Sequence, residues 1–444
     1  MAKKIGEVLK IAAAHKQSKR WLQALKIYRL ILEAAPLDYE VRLNISDAIM
    51  ALGFQELAGT AYTETARYCS RAGHSLQAIV AAKKAAPITG KGRELFEFIA
   101  SLYGSEAELT GKTSRIAPID EDTPVKEGID LDFAIDTGEL VKTTVQQMIT
   151  AGEQARFPET LPPLPILSDL PTELFVKLLD QVRLLSVNSG EVIIREGEGA
   201  AQFYIIAKGH VAIYKGDPQG KKTELARLSE GSIFGEMALI TQSPRTANVE
   251  TTEETEMLEF DKTNLDTLSQ DSLVIEAALE RFTKERLVSN LLATNPIFQP
   301  FDKKQRYELL SKFTAHEVTV GTILVKEGTV GRGLYIILFG EADVSKLENG
   351  KSMLIATLKS GDIFGEISLI KESPTTATVS ATMHSTVLFL PKEYFTKLTE
   401  SIGVLKDYFD KLTAQRLTMT QQSINKARER EEEEVVSEDE LIMI

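Results

Sequence analysis

The chain has 444 residues, too many for one hydrophobic core, and its length points to about three folding units. A formal charge of −13 excludes a general nucleic-acid-binding surface, because phosphate contacts need clustered Lys and Arg, so any bound anion needs a local exception to an acidic field. No apolar run reaches the roughly 18 residues that span a bilayer, MAKKIGEVLK lacks a signal peptide's apolar core, and the single Cys69 has neither a disulfide partner nor His or Cys at zinc-ligand spacing; a cytoplasmic protein with no cofactor, metal, membrane or nucleic-acid partner is expected.

Residues 1–104 read as paired helices, with Ala, Leu and aromatic residues recurring at helical spacing and little Gly or Pro between them. Ala24 and Tyr28 recur thirty-four residues on as Ala58 and Tyr62, and Pro36 closes the first unit. This pattern resembles the tetratricopeptide repeat, although the stretch around His74 to Pro87 is too short for a third unit. Such a region implies a helical surface for docking a protein partner. Residues 105–160 turn acidic and Pro-rich, in IDEDTPVKEGIDLD and FPETLPPLP, and read as a flexible linker. Within it, 139–151 has the periodicity of a short helix, and solvated coil is the alternative reading.

Beyond Leu161 the chain repeats itself at about 131 residues. GEVIIREGEGAAQFYIIAKGHVAIYK, from Gly190, aligns without gaps on GTILVKEGTVGRGLYIILFGEADVSK, from Gly321, which places Gly197 and Gly209 on Gly328 and Gly340. After a one-residue deletion, GSIFGEMALITQSPRTANVE aligns on GDIFGEISLIKESPTTATVS. Each copy opens with a short amphipathic helix, LPTELFVKLLDQV or KKQRYELLSKF. Strands follow at 192–194, 203–207, 211–214 and 225–228, rich in β-branched and aromatic residues. Helices at 273–292 and 404–428 close the two copies. The fold class is therefore α+β and multidomain: an α-helical repeat, then two jelly-roll-like β-rolls with flanking helices. The divisions fall at 1–104, 105–160, 161–292, 293–415, and a helical extension with an acidic tail at 416–444. The tail's charge run, REREEEEVVSEDE, reads as frayed.

FGEMAL and SPRTANV resemble the phosphate-binding cassette of cyclic nucleotide-binding domains, found in regulatory subunits of cAMP- and cGMP-dependent protein kinases and in catabolite activator-type sensors. The resemblance implies a site at Phe234, Gly235, Glu236, Met237, Ala238, Arg245, Thr246 and Ala247, with cAMP or cGMP as ligand. The chemistry of these residue types agrees with that. A guanidinium is always charged and gives parallel donors to a phosphate, which suits Arg245. An ionised Glu236 only accepts, and so can accept a hydrogen bond donated by a ribose hydroxyl. Gly235 allows close backbone approach, and a helical turn at 237–240 would aim amides at the anion. Thr246 has a hydroxyl able to meet a guanine, which leaves both bases open. Phe282 and Leu287 are apolar residues that could cover the base.

The second copy keeps the pattern at Gly365, Glu366, Ile367, Ser368, Thr375 and Thr376 but has Thr375 where the first has Arg245. A hydroxyl brings no charge, and an unpaired buried anion is costly, so this reads as a degenerate site kept for packing or for capping the first site unless Arg332 or Lys371 supplies the charge. The five His are scattered, with no HExxH or GxSxG. GSEAELTGKTS spaces its glycines wrongly for a phosphate-binding loop. No enzymatic activity is expected, and no Arg-Arg-x-Ser/Ala inhibitor sequence lies in the linker. The expected function is a sensor that passes ligand binding to a partner; a ligand-independent scaffold or a cyclic dinucleotide sensor are the alternatives.

Overall fold

The computed structural model describes residues 3–108, 115–117, 120–125, 136–199, 201–216, 222–236, 244–245, 247–261, 272–348 and 350–441. By its internal contacts the chain divides into two units, Met1–Phe282 and Thr283–Ile444.

The first unit opens with helices α1 (Ile5–Gln17), α2 (Trp21–Ala34), α3 (Tyr39–Ala51), α4 (Gln55–Ala72), α5 (Ser75–Thr89) and α6 (Gly92–Tyr103), each packed on its neighbour in sequence. Ala24, Tyr28, Ala58 and Tyr62, the repeated positions, are all buried. Local chemistry sets the ends: Asp38 accepts from the Val41 amide at 2.8 Å to cap α3, and Gly73 ends α4 at φ +89°. The stretch from His74 to Pro87, read as too short for a repeat unit, forms most of α5, with His74 at its N-cap and Pro87 inside its last turn. Cys69 is buried, and its thiol is pushed up to about 12 by that burial.

Within the stretch read as a flexible linker at 105–160, the chain forms α7 (Thr137–Glu153), the short helix that the periodicity of 139–151 offered, in place of solvated coil. Asp136 caps this helix, and Leu140, Val141, Thr144, Val145 and Met148 are buried on one face. Arg42, fully buried on α3, donates to the Met148 carbonyl at 3.1 Å, and Arg29 donates to Thr143 Oγ1 at 2.9 Å.

A further helix, α8 (Thr172–Gln181), leads into the first roll. Its strands are β1 (Arg183–Val187), β2 (Val192–Ile194), β3 (Gln202–Lys208), β4 (Val211–Gly216), β5 (Lys222–Leu228), β6 (Ile233–Phe234), β7 (Asn248–Thr251) and β8 (Thr255–Asp261). They form two antiparallel sheets, ordered β1-β8-β3-β6 and β2-β7-β4-β5. The roll and the helices share one core, in which Phe203, Ile205, Leu258 and Phe260 join the helical residues. Polar contacts reinforce the join. Gln77 Nε2 donates to the Ala207 carbonyl at 2.9 Å, and Lys84 Nζ sits 2.9 Å from Asp47 on α3 and 2.5 Å from Glu256 on β8. Helix α9 (Ser272–Thr294) leaves this roll and continues into the second unit.

The second unit contains α10 (Lys303–Leu310), β9 (Thr314–Val318), β10 (Ile323–Val325), β11 (Gly333–Phe339), β12 (Glu341–Glu348), β13 (Lys351–Lys359), β14 (Ile363–Phe364), α11 (Glu366–Ile370), β15 (Thr378–Ala381), β16 (Ser385–Pro391), α12 (Lys392–Ser401) and α13 (Gly403–Leu441). The sheet orders, β14-β11-β16-β9 and β10-β15-β12-β13, repeat those of the first roll. The tail expected to fray is helical to Leu441, in keeping with the high helix propensity of its Glu and Arg residues. The closing residues 442–444 lie outside the described residues.

Candidate functional site

In the first roll, β3 and β6 pair Tyr204 with Phe234, and the two rings stack with centroids 5.0 Å apart. The chain then turns at Gly235, with φ +82°, where an added Cβ would fall 2.7 Å from Arg245 Nη1. Only glycine takes that conformation freely and leaves room for the guanidinium. Glu236 follows, 1% exposed. Across the cleft Arg245 is held by its backbone, its amide donating to Glu198 O at 2.9 Å and its carbonyl accepting from Gly197 at 2.8 Å. Its guanidinium is 6% exposed and donates to the carbonyls of Gly235 and Gln202, both at 2.6 Å.

Burial pushes the Arg245 pKa down, while Tyr204 and the carboxylates of Glu236 and Glu198 oppose that shift. Two carbonyls engage two of the five N–H donors of this permanently charged group. The structure therefore gathers Gly235, Glu236 and Arg245 around one cation that points inward, beside Phe234 in the core and Ala247 at the entry to β7. Met237, Ala238, Thr246 and the turn expected at 237–240 lie outside the described residues. Phe282 packs against the core of the first unit and Leu287 against that of the second.

In the second roll Gly365 turns at φ +89°, and an added Cβ would fall 2.7 Å from Gly333 O. Glu366 is 1% exposed and opens α11, a turn that also carries Ile367 and Ser368. The backbone of Thr375 is pinned as that of Arg245 is, its amide donating to Thr329 O and its carbonyl accepting from Gly328, both at 2.8 Å. Its hydroxyl is taken up by the backbone, accepting from the Thr329 amide at 3.0 Å and facing the carbonyls of Lys326 and Thr329. All six residues singled out in this copy, Gly365, Glu366, Ile367, Ser368, Thr375 and Thr376, line a cavity of about 490 Å³.

Helix α13 forms one wall of that cavity, and from it Arg416 Nη1 reaches Glu366 Oε1 at 2.8 Å and the Ile363 carbonyl at 2.5 Å. Sequence reasoning missed Arg416, which stands far from the cassette in a helix without local motif. Arg332, considered above as a source of charge, lines an adjoining depression with Lys326 and Thr329 that shares Gly365, Ser368 and Thr375 with the cavity, and Lys371 lines neither space. Among the described residues no group of three His, Cys, Asp or Glu could hold a metal ion, and no helix is long and apolar enough to cross a membrane.

Residues 184–272 and 315–401 match the family described as cyclic nucleotide-binding domain. The chain carries two cyclic nucleotide-binding domains. This part is homologous to regulatory subunits of cAMP-dependent protein kinase. That of Yarrowia lipolytica is 31% identical over 233 residues, covering 52% of this chain and 58% of the relative. That of Blastocladiella emersonii is 25% identical over 276 residues, covering 62% and 65%. The chain thus spans between about half and two thirds of the curated relatives it matches. A solved structure, the regulatory domain of Toxoplasma gondii PKA with cAMP, is 22% identical with a TM-score of 0.28, over 56% of this chain and 92% of that one. The two domains have one fold and differ in their cassette cation.

Proposed function

We propose that the protein is a cyclic nucleotide sensor that binds its ligand in the first domain and passes the change to a protein partner through the N-terminal helices. The observation that carries this reading is the inward, buried Arg245 guanidinium, facing Gly235 and Glu236. A buried cation held by neutral carbonyls gains when a singly charged phosphodiester comes within reach, because a charge-assisted bidentate pair exceeds two neutral acceptors. Glu236 takes a ribose hydroxyl, and Gly235 keeps the backbone close. The relatives, named as cAMP-dependent regulatory subunits, favour cAMP over cGMP.

The output runs through the helices because the same core and the Asp47–Lys84–Glu256 contacts tie them to the roll's sheet. A ligand that favours one arrangement of β8 therefore shifts the population of helix arrangements. Calorimetric titration of the whole chain with cAMP and cGMP tests the reading: a first-domain event with one ligand per chain is expected. Arg245→Ala should weaken it by about 2–5 kcal/mol, the range for removing one partner of a buried charged pair. Unchanged affinity in that variant, or no binding by the unaltered chain, refutes the assignment.

A further inference from the structure

We infer that α7 occupies, from within its own chain, the docking surface for a partner protein's amphipathic helix that carries carboxylates on its flanks. This surface is the output side of the sensor proposed above and takes its signalling role from that reading. Taken alone, α7 is a weak helix: its seventeen residues include four Thr, two Val and two Gly, all of low helix propensity. Its order therefore depends on its buried face, formed by Leu140, Val141, Thr144, Val145 and Met148, which packs on α2 and α4.

The surface beneath it presents cations that α7 does not match. Three arginines, one each from α2, α3 and α4, face the segment 143–157, and each meets a neutral group of it. Arg29 Nη1 donates to Thr143 Oγ1 at 2.9 Å, with Glu33 of its own helix 3.7 Å away. Arg42 donates to the Met148 carbonyl at 3.1 Å and to the Pro36 carbonyl at 2.8 Å, and Arg71 lies 4.0 Å from the centre of the Phe157 ring. Arg42 is fully buried, and that burial pushes its pKa down, opposed first by Tyr68.

Gly152 shows where a carboxylate would fit. A Cβ added there would stand 3.8 Å from Arg42 Nη1, in ordinary contact, so an acidic side chain at that helical position reaches the guanidinium. A carboxylate in place of Thr143 would likewise meet Arg29. Charge-assisted bonds of this kind are roughly twice as strong as the neutral ones α7 makes. A helix with the apolar spacing of α7 and acids at these two positions fits the surface better than α7 does. The tether gives α7 a high local concentration, so it covers the surface until such a helix competes. An open groove of about 710 Å³ between Pro36 and Leu37 on one side and Gln147, Thr150 and Ala151 on the other gives a partner access to the seam.

The test uses the full chain and two fluorescein-labelled peptides of the sequence 136–154, one unaltered and one carrying Thr143→Glu and Gly152→Asp, titrated by anisotropy. The acidic peptide is expected to bind with one peptide per chain, about tenfold more tightly than the unaltered one. Hydrogen exchange of α7 in the chain should speed up when it binds, while α2, α3 and α4 stay protected. Arg42→Met and Arg29→Gln should each shrink the acidic peptide's advantage, with circular dichroism reporting that the variants are folded; Arg29 is half-buried, so its variant keeps the test open where Arg42→Met does not fold. Equal affinities for the two peptides overturn the inference. So does an α7 that stays protected with the acidic peptide bound, an advantage unchanged in Arg29→Gln, or no binding up to millimolar concentration. Calorimetry with cAMP separates the two readings: a chain that binds cAMP but not the acidic peptide keeps the sensor and loses this surface, and the reverse result keeps the surface and loses the sensor.

Discussion

The two rolls repeat each other down to their irregularities. Strand register slips between Ile206 and Lys208 in the first and between Ile337 and Phe339 in the second, each pair 131 residues apart; Ile213/Tyr214 and Val344/Ser345 match in the same way. The aromatic stack recurs as Tyr204–Phe234 at 5.0 Å and Tyr335–Phe364 at 4.9 Å. Among the side chains that differ between the copies, two change what each roll can hold. Arg245 becomes Thr375 in the cassette. Glu256, which meets Lys84 from the helices, becomes Thr386, whose hydroxyl donates to Glu317 of its own sheet at 2.9 Å. The backbone bonds that hold residue 245 to Gly197 and Glu198 are copied at residue 375 with Gly328 and Thr329. Because those bonds need no particular side chain, the fold survives loss of the cation, and ligand charge can change without a cost in architecture.

The sharpest break in this comparison is expected at Arg416. Removing it leaves Glu366, 1% exposed, as a buried carboxylate without its cation, a change that costs about 3–5 kcal/mol when such a pair is broken from one side. Arg416 keeps some exposure, which places the loss toward the lower figure. In a denaturant titration Arg416→Ala should lower the midpoint of the second unit only, and adding Glu366→Gln should recover part of the loss. A midpoint unmoved by Arg416→Ala would remove the pair from the account of the second domain.

A smaller effect separates the two cassette glycines. Both sit at positive φ, so alanine at either position costs about 1–3 kcal/mol. At Gly365 the new methyl meets a backbone carbonyl, at Gly235 the movable tip of Arg245. Gly365→Ala is therefore expected to give the larger drop in melting temperature and to leave first-domain ligand affinity intact. Gly235→Ala should cost less stability and reduce that affinity by displacing the guanidinium. Equal affinities in the two variants would show that the position of Arg245 is not set by Gly235.

Much of this was legible in the sequence because it is local or repeated. The strands at 192–194 and 203–207 follow from β-branched and aromatic runs between glycines, and the 131-residue period carried the same reading into the second roll. Gly235, Glu236 and Arg245 were readable as a group because the cassette writes them within eleven residues. What was missed depends on contacts between distant segments. Nothing local in the acidic stretch before Thr137 announces that Arg42 bonds the Met148 carbonyl. The shared core of helices and first roll pairs residues more than a hundred positions apart, as Gln77 with Ala207 does. Arg416 lies fifty residues from the carboxylate it holds. The cavity of the second roll depends on that placement of α13, and only its cassette floor could be read from the sequence.

The helices packed on the first roll also give the two units different responses to acid. His74 is buried against Tyr39, with ring centroids 4.1 Å apart, and its Nε2 meets the Ile116 carbonyl at 3.0 Å. Burial is the main cause that lowers its pKa to about 4, assisted by Arg115 and opposed by the carbonyl. An unfolded histidine titrates near 6.5, so between about 6.5 and 4 the unfolded chain binds a proton that the folded chain refuses. Stability is then fully present above 6.5 and falls as pH drops through this window, by at most one proton's worth of slope. His15, lowered by burial as well, adds in the same direction and in the same unit. In the second unit Glu317 is held below its ordinary value by Lys284 and Thr386 against its own desolvation, so its contribution is lost only as pH falls below the usual carboxylate range. Denaturant midpoints between pH 6.5 and 5 should accordingly fall more steeply for the first unit than for the second. His74→Gln should flatten the first unit's slope while lowering its stability at pH 7, and an unchanged slope would mean that the ring is protonated as readily in the folded chain as in the unfolded one.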